Sequence, residues 1–265
     1  MGTRHLICIF WRGEWVLAQY GQWDGGPDFQ GARIFKFLCV ARNIERLKAG
    51  LENHVYVPSD EEYDAMITEV VAWDRMNPDQ EGDGIDFLYP GLSRETSARI
   101  LGMIARAAPF EGEEDTGGKK GEKKEMIPLR LRLWLANDGH CEWAYVIDLD
   151  TEALEVYAGH EWKHAQHRFK DVGVDEDSVP AFICAFPFSD IFLMTDGEDF
   201  ADRVYTALEN TRRSRGDWYE DDDDDEWEEE EEVASEGGMD VDKHDEGQAV
   251  DAAGHQDQDQ DADMS

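Results

Sequence analysis

WYEDDDDDEWEEEEEV, residues 218–233, is the stretch that most constrains what this chain can fold into. Like charges at that density repel one another, and the few apolar residues among them bury too little to offset the entropy of ordering the chain. The remainder, ending in GQAVDAAGHQDQDQDADMS, is polar and repetitive. From Asp217 onward there are 23 acidic residues and one basic residue, Lys243, a net charge of −22 out of −37 for all 265 residues. The expectation is a disordered acidic tail over residues 217–265 and one folded domain over residues 1–216, the latter carrying a net −15.

Within residues 1–216 the apolar pattern changes period several times. HLICIF, starting at His5, is apolar on both faces, the mark of a buried strand. Arg12-Gly13 suits a turn, and Trp15 to Tyr20 suits the returning strand of a hairpin. Ile34, Phe37, Leu38, Ala41, Ile44 and Leu47 then recur at helical spacing. HVYV reads as a short strand before Pro58. Ser59 and Glu62 form a capping box that opens a second helix, with Met66, Ile67, Val70 and Val71 on its inner face. Ser93 is placed to cap a third helix carrying Ile100, Leu101 and Ile104.

EGEEDTGGKKGEKKE, residues 111–125, has no core-forming residue and reads as a mobile loop. Leu129, Leu131, Leu133 and Leu135 then alternate with Arg130, Arg132 and Trp134, the period of a half-buried strand. Trp143 to Leu149 and Leu154 to Tyr157 follow as two more strands, and an antiparallel meander is expected. A strand near Phe182 to Phe186 and a helix from about Glu198 to Arg213 close the domain. Hairpin, helices, meander and helix together make a single α+β domain.

Several classes of function are disfavoured. No run of about 18 apolar residues spans a membrane, and the N-terminus lacks the basic and apolar regions of a signal peptide. The net charge repels nucleic acid, and no basic stripe with interleaved aromatics is present. Cys8, Cys39, Cys141 and Cys184 lie far apart in apolar settings, which suits free buried thiols in a reducing compartment, cytoplasmic or nuclear.

GHEWKHAQH, residues 159–167, contains H-E-x-x-H at His160, Glu161 and His164. That pattern holds zinc when a helix brings both imidazoles to one face and a third ligand joins them. Here it follows a predicted strand directly, and charged Lys163 sits in its interior. Arg168 and Asp171 occupy the Gly and His positions of the extended zinc pattern, and His167 does not restore it. The segment reads as solvated, with no metal and no cofactor expected.

AQYGQWDGGPDFQG, residues 18–31, is the stronger candidate site. Its glycines allow unusual backbone angles and a close approach to the main chain. Gln19, Tyr20, Gln22, Trp23 and Asp24 offer amide, phenol, indole and carboxylate groups beside one another. No phosphate-binding glycine pattern is present. Packing of Trp23 into the core and capping by Asp24 are the structural alternative. Arg4 and His5 open the first strand close to this loop. Glu142 begins an apolar strand and needs a partner, with Arg130 and Arg132 available.

MGTRHLICIF, AQYGQWDG, LSRETSARIL and CEWAYVIDLD, in that order from Met1 to about Tyr157, resemble a group of proteins frequent in fungal genomes and also seen in bacteria, for which no activity is established. The resemblance implies no mechanism. It does imply that Arg4, His5, Gln19, Gln22, Asp24 and Glu142 matter beyond packing. Gly26 stands where that group carries an aromatic residue, which implies weaker binding if the aromatic touches a ligand.

Three functions follow as expectations. The first is a small-ligand or peptide-binding module with a pocket lined by Arg4, His5, Gln19, Gln22, Trp23, Asp24 and Glu142. The second is a hydrolase of the N-terminal-nucleophile type, although Met1 removal exposes Gly2 and leaves Thr3 and Cys8 internal. The third is an interaction protein that draws basic partners to its tail.

Overall fold

Arg12 and Gly13 both take left-handed backbone angles, φ 56° and 79°, as the tight turn between two twisted antiparallel strands requires. Asp150 holds this turn from outside: its carboxylate accepts the Arg12 and Gly13 N–H groups at 2.8 and 2.9 Å. The turn joins β1 (His5–Trp11) to β2 (Glu14–Gly21), so the hairpin forms where the sequence places it. The computed structural model describes residues 2–108, 126–137, 141–173, 178–194 and 196–215. The charged loop expected at residues 111–125 and the tail expected from residue 217 lie outside the described residues.

After β2, a π-helical turn (Pro27–Gly31) leads into α1 (Ala32–Leu38) and α2 (Ala41–Asn53). One continuous helix was expected here, but Val40 adopts an extended backbone and divides it. β3 (Val55–Tyr56) precedes α3 (Asp60–Met76), which carries the expected capping box: Ser59 Oγ accepts the Glu62 N–H, and the Glu62 carboxylate accepts the Ser59 N–H. Of the four residues expected to face inward on α3, only Val70 is buried, so this helix lies loosely on the domain. A short α4 (Gly84–Leu88), which the sequence reading lacks, packs against it through Trp73 stacked on Phe87.

The third expected helix, α5 (Arg99–Ala107), begins later than a Ser93 cap would set it. Ser93 Oγ instead accepts the Glu95 N–H and donates to Asp86 on α4. The alternating leucines do not form a long strand. Two residues, β4 (Ile127–Pro128), pair with β3, Leu131 makes one bridge to Ala18, and Leu133–Asn137 is a 3₁₀ turn.

β5 (Trp143–Asp148), β6 (Ala153–Trp162) and β7 (Ser178–Pro187) form the antiparallel meander. The sheet order is β2-β1-β5-β6-β7, with β1 and β5 parallel. A parallel neighbour needs a crossover, and the helical segment between β2 and β5 supplies it. The fold is therefore α+β with a mixed sheet. α6 (Phe188–Ile191) and α7 (Gly197–Arg215) end the described chain.

Both faces of the sheet are covered, by different means. On one face Ile7, Ile9, Tyr145 and Ile147 pack with Phe35, Leu47, Ile104 and Phe200 from the helices. On the other, Leu6, Cys8, Ala144 and Val146 pack with Ala136, Phe169 and Val172 from irregular segments. Burial on both sides explains the unbroken apolar run of β1. Cys8 and Cys141 are buried free thiols, and Cys39 and Cys184 are half-buried free thiols. Among the described residues no helix is long and apolar enough to cross a membrane.

Candidate functional site

Strand register decides where the first group of candidate residues goes. His5 lies opposite Gly21 on β2 and opposite Trp143 on β5, so the 22–26 loop and the start of the meander meet at the same end of the sheet. The first residues of the chain stitch them together. Gly25 N–H donates to the Thr3 carbonyl (3.0 Å) and Glu142 N–H to the Arg4 carbonyl (3.1 Å). The Arg4 N–H donates back to Glu142 Oε1 at 3.1 Å, so Glu142 finds its partner in main chain rather than in Arg130 or Arg132. Arg130 lies instead over the Tyr63 ring. The Tyr145 hydroxyl, deep in the helix-side core, donates to the Gly25 carbonyl at 2.8 Å.

The seven residues are neighbours in this sense, but they do not share a surface. His5 and Gln19 are buried, Arg4 and Gln22 are half-buried, and Trp23, Asp24 and Glu142 are exposed. Gln19 spends its amide on the Ser93 and Tyr20 carbonyls at 2.6 and 3.3 Å. Trp23 lies over Gly2, where a Cβ would come within 2.2 Å of the indole. Asp24 takes φ 56°, and its carbonyl accepts the Gln30 N–H at 3.1 Å.

His5 is fully enclosed, and neither ring nitrogen has a hydrogen-bond partner. Burial pushes its pKa down to about 4, against weaker opposing pulls from the Thr3 carbonyl and the Asp24 charge. The glycines make room for it: a Cβ on Gly21 would stand 2.3 Å from the ring, and one on Gly25 would stand 2.8 Å from the His5 Cβ. Ser97 Oγ lies 2.4 Å from the same Gly21 point, on a backbone with φ 44°. This end of the sheet holds a neutral imidazole in place and closes over it.

The opposite face of the sheet carries an open groove of about 950 Å³. One wall is aromatic: Phe10, Trp15, Tyr157 and Phe182 line it. Trp15 stacks on buried Phe169 at 5.5 Å, and Tyr157 meets Phe169 and Phe182 edge-on at 5.2 and 5.5 Å, so the rings brace one another. The other wall is polar and comes from the segment that contains H-E-x-x-H. His160 and Glu161 lie on β6, beyond an irregular register at Gly159 (φ 70°), and His164 lies past the strand end. A strand and a turn do not bring i and i+4 imidazoles to one metal.

The segment is not uniformly solvated as the sequence suggested. His160 and His164 are exposed, but His167 is buried. Phe169 N–H donates to His167 Nδ1 at 3.0 Å, so the hydrogen of the neutral ring sits on Nε2. Nε2 then faces Glu161 Oε1 at 2.9 Å and the Pro180 carbonyl at 3.1 Å. Burial pushes the His167 pKa down, against the pull of Glu161, in keeping with that neutral tautomer. A metal at Nε2 would need the hydrogen moved to Nδ1, directly against the Phe169 N–H. Among the described residues no three His, Cys, Asp or Glu side chains are placed to share a metal ion.

Beside this pair lies a second network. Arg168 Nε donates to Glu155 Oε2 at 3.1 Å, and Nη2 reaches both Glu155 and Asp148. The guanidinium lies over the Phe10 ring at 4.8 Å. Tyr157 donates its hydroxyl to Glu155 at 2.6 Å. Asp148 is buried. Burial alone would raise its pKa, but the Thr151 and Asp150 N–H groups and Arg168 outweigh it and the net shift is downward. The Tyr157 phenol is pushed up by burial and by Glu155.

The sequence reading of residues 159–167, a solvated segment rather than a helical zinc motif, gives no sign of this groove. Two signals were present. Asp148 ends an apolar strand and so needs a partner, and Glu155 interrupts the apolar run of β6. A comparison with protein-family models, with curated proteins and with solved structures finds no match.

Proposed function

We propose that this domain is a binding module for a small ligand or a peptide segment, and that the groove beneath β6 is its site. The observation that carries the reading is the pairing of about 950 Å³ of open space with a braced aromatic wall and a pre-formed polar network. Ligand sites characteristically combine an apolar lining with a few fixed polar groups. Tyr157, His167 and Arg168 are held by their own partners before any ligand arrives, which lowers the ordering cost of binding.

Ala165 lines the groove and is exposed, so Ala165→Trp fills the space without touching the core. Fragments detected on the full chain by ligand-observed NMR should lose binding in Ala165→Trp. Fragments that bind the variant unchanged would place the site elsewhere.

A second reading keeps the end of the sheet around Arg4, Gln22, Trp23, Asp24 and Glu142 as a binding surface. The unpartnered ring of His5 favours it. Under this reading Trp23→Ala weakens fragment binding and Ala165→Trp does not. For the hydrolase reading, the Cys8 thiol is fully buried and its pKa is pushed well up by burial, so it supplies no thiolate. A role for residues 217–265 in holding basic partners is tested by pull-down with cationic proteins before and after their removal.

A further inference from the structure

Neither ring nitrogen of His5 has a partner, although the ring is fully buried. A buried polar group left in that state calls for a reason. The backbone around it is strained as well. Among the described residues, four that are not glycine take left-handed angles. Arg12 and Glu152 do so in the turns of two hairpins. Asp24 (φ 56°) and Ser97 (φ 44°) do so in no hairpin, and both stand beside His5. Strain of that kind gathers where a side chain must be aimed.

The aim is visible at each side of the ring. His5 Nε2 and Ser97 Oγ lie 2.3 and 2.4 Å from the point that a Gly21 Cβ would occupy, so any other residue at 21 would displace both. Ser97 Oγ is otherwise held loosely, donating to the Arg94 carbonyl at 3.4 Å. Nδ1 faces the first residues of the chain: it lies 3.0 Å, and the Thr3 carbonyl 2.7 Å, from the point of a Gly25 Cβ. The Thr3 carbonyl and the Asp24 charge both favour a protonated ring. A serine, an imidazole and a group that steadies the imidazolium are the parts of an acyl-transfer site, and such parts sit loosely before substrate arrives. The residue after the serine, Ala98, donates its N–H to Gln30 Oε1 at 3.3 Å, a bond long enough to yield to a developing oxyanion.

We propose that Ser97 and His5 form a covered acyl-transfer dyad, a nucleophile and its base, acting on a small ester. Ser97 Oγ bonds to the ester carbonyl carbon as its proton passes to His5 Nε2. His5 returns that proton to the departing alkoxide, leaving Ser97 acylated. Water then attacks the acyl carbon, its proton passes through His5 to Ser97 Oγ, and the carboxylic acid leaves. Access needs the 22–26 loop to part from the first residues of the chain. Trp23 clasps the two by lying over Gly2 and is itself 47% exposed. The groove beneath β6 takes no part, so failure here leaves the binding reading standing.

The test is the full chain treated with 4-nitrophenyl acetate, digested and mapped by mass spectrometry. Acetyl on lysine survives hydroxylamine and acetyl on serine does not, which separates the dyad from surface amines. The expected result is a hydroxylamine-labile acetyl on Ser97, formed about twofold faster in Trp23→Ala, which loosens the clasp. Ser97→Gly removes it, and glycine takes φ 44° freely, so near-ultraviolet circular dichroism should show an unchanged fold. His5→Gln slows it about a hundredfold. In the wild type the rate holds through neutral pH and falls toward pH about 4, where His5 takes up its proton.

Acetyl on lysine alone, in both the wild type and Trp23→Ala, overturns the proposal. So does acetylation of Ser97 at an equal rate in a folded His5→Gln chain. Where His5→Gln does not fold, the wild-type profile decides, and a rate that stays level through pH about 4 overturns it.

Discussion

The two faces of the central sheet use the same strands for opposite ends. On the helix side, β1 and β5 offer Ile7, Ile9, Tyr145 and Ile147 to α1, α2, α5 and α7, and the contact is closed. Its buried polar groups are few and static: Gln19 bonds to Ser93, Tyr145 bonds to Gly25, and His5 is sealed and neutral. On the other side, irregular segments replace helices and leave an open groove where β6 emerges. There the polar groups are charged, linked and near water. A regular helix layer gives cover, whereas a turn-built layer gives access. Function is therefore sought on the second face even though the more conspicuous glycine loop adjoins the first.

The largest effect that would test this contrast is a cavity on the closed face. Ile147→Ala should cost about 4 kcal/mol in denaturant unfolding and leave fragment binding intact at permissive temperature. A loss much below 2 kcal/mol would mean the helix side is loosely packed. On the open face, Arg168→Ala leaves Asp148 and Glu155 facing each other without a cation. It should cost about 3 kcal/mol at neutral pH and less under acid, where the carboxylates protonate. A variant as stable as the parent would show that water already compensates this network.

His5 sharpens the comparison through pH. Its folded pKa, about 4, lies below the ordinary 6.5, so the unfolded chain takes up this proton first as pH falls. Its contribution is fully present above about pH 6.5, declines below that, and is gone once pH passes about 4. Over that window the wild type should lose about 3 kcal/mol relative to His5→Gln. Parallel pH profiles for the two chains would show that His5 is hydrated. The smallest effect belongs to Trp23→Ala. The indole is 47% exposed, and its loss should cost about 0.5 kcal/mol and leave groove binding unchanged.

Much of this architecture is legible in the sequence. Arg12-Gly13 marks its turn, Ser59 and Glu62 mark the start of α3, and the apolar spacing after Glu198 marks α7. These signals are local and need no tertiary context. The alternating leucines misled because the pairing beside them is brief: two residues, Ile127 and Pro128, pair with β3, Leu131 makes a single bridge to Ala18, and Pro128 has no N–H to give. Leu131 and Trp134 remain exposed, Leu129 is buried directly after β4, and Ala136 is buried from the 3₁₀ turn. The break at Val40 has no glycine or proline to announce it. The convergence of Arg4 and Glu142 and the burial of the strand that His5 opens were anticipated, but a His5 ring with no partner was not, because its closure depends on Ser97 and on glycines 16 and 20 residues away. The groove brings Trp15 together with Phe169 and Phe182, and spacing along the chain carries no trace of that meeting.

The most direct test of the central claim is a map of where ligand lands. Amide shifts of the ¹⁵N-labelled full chain, followed during titration with a fragment that binds it, report both faces at once. The account expects the largest changes at Tyr157, Glu161, His167 and Phe182, with Trp23 and Asp24 still. Changes concentrated at Trp23, Asp24 and Glu142, with the β6 residues unmoved, would contradict it.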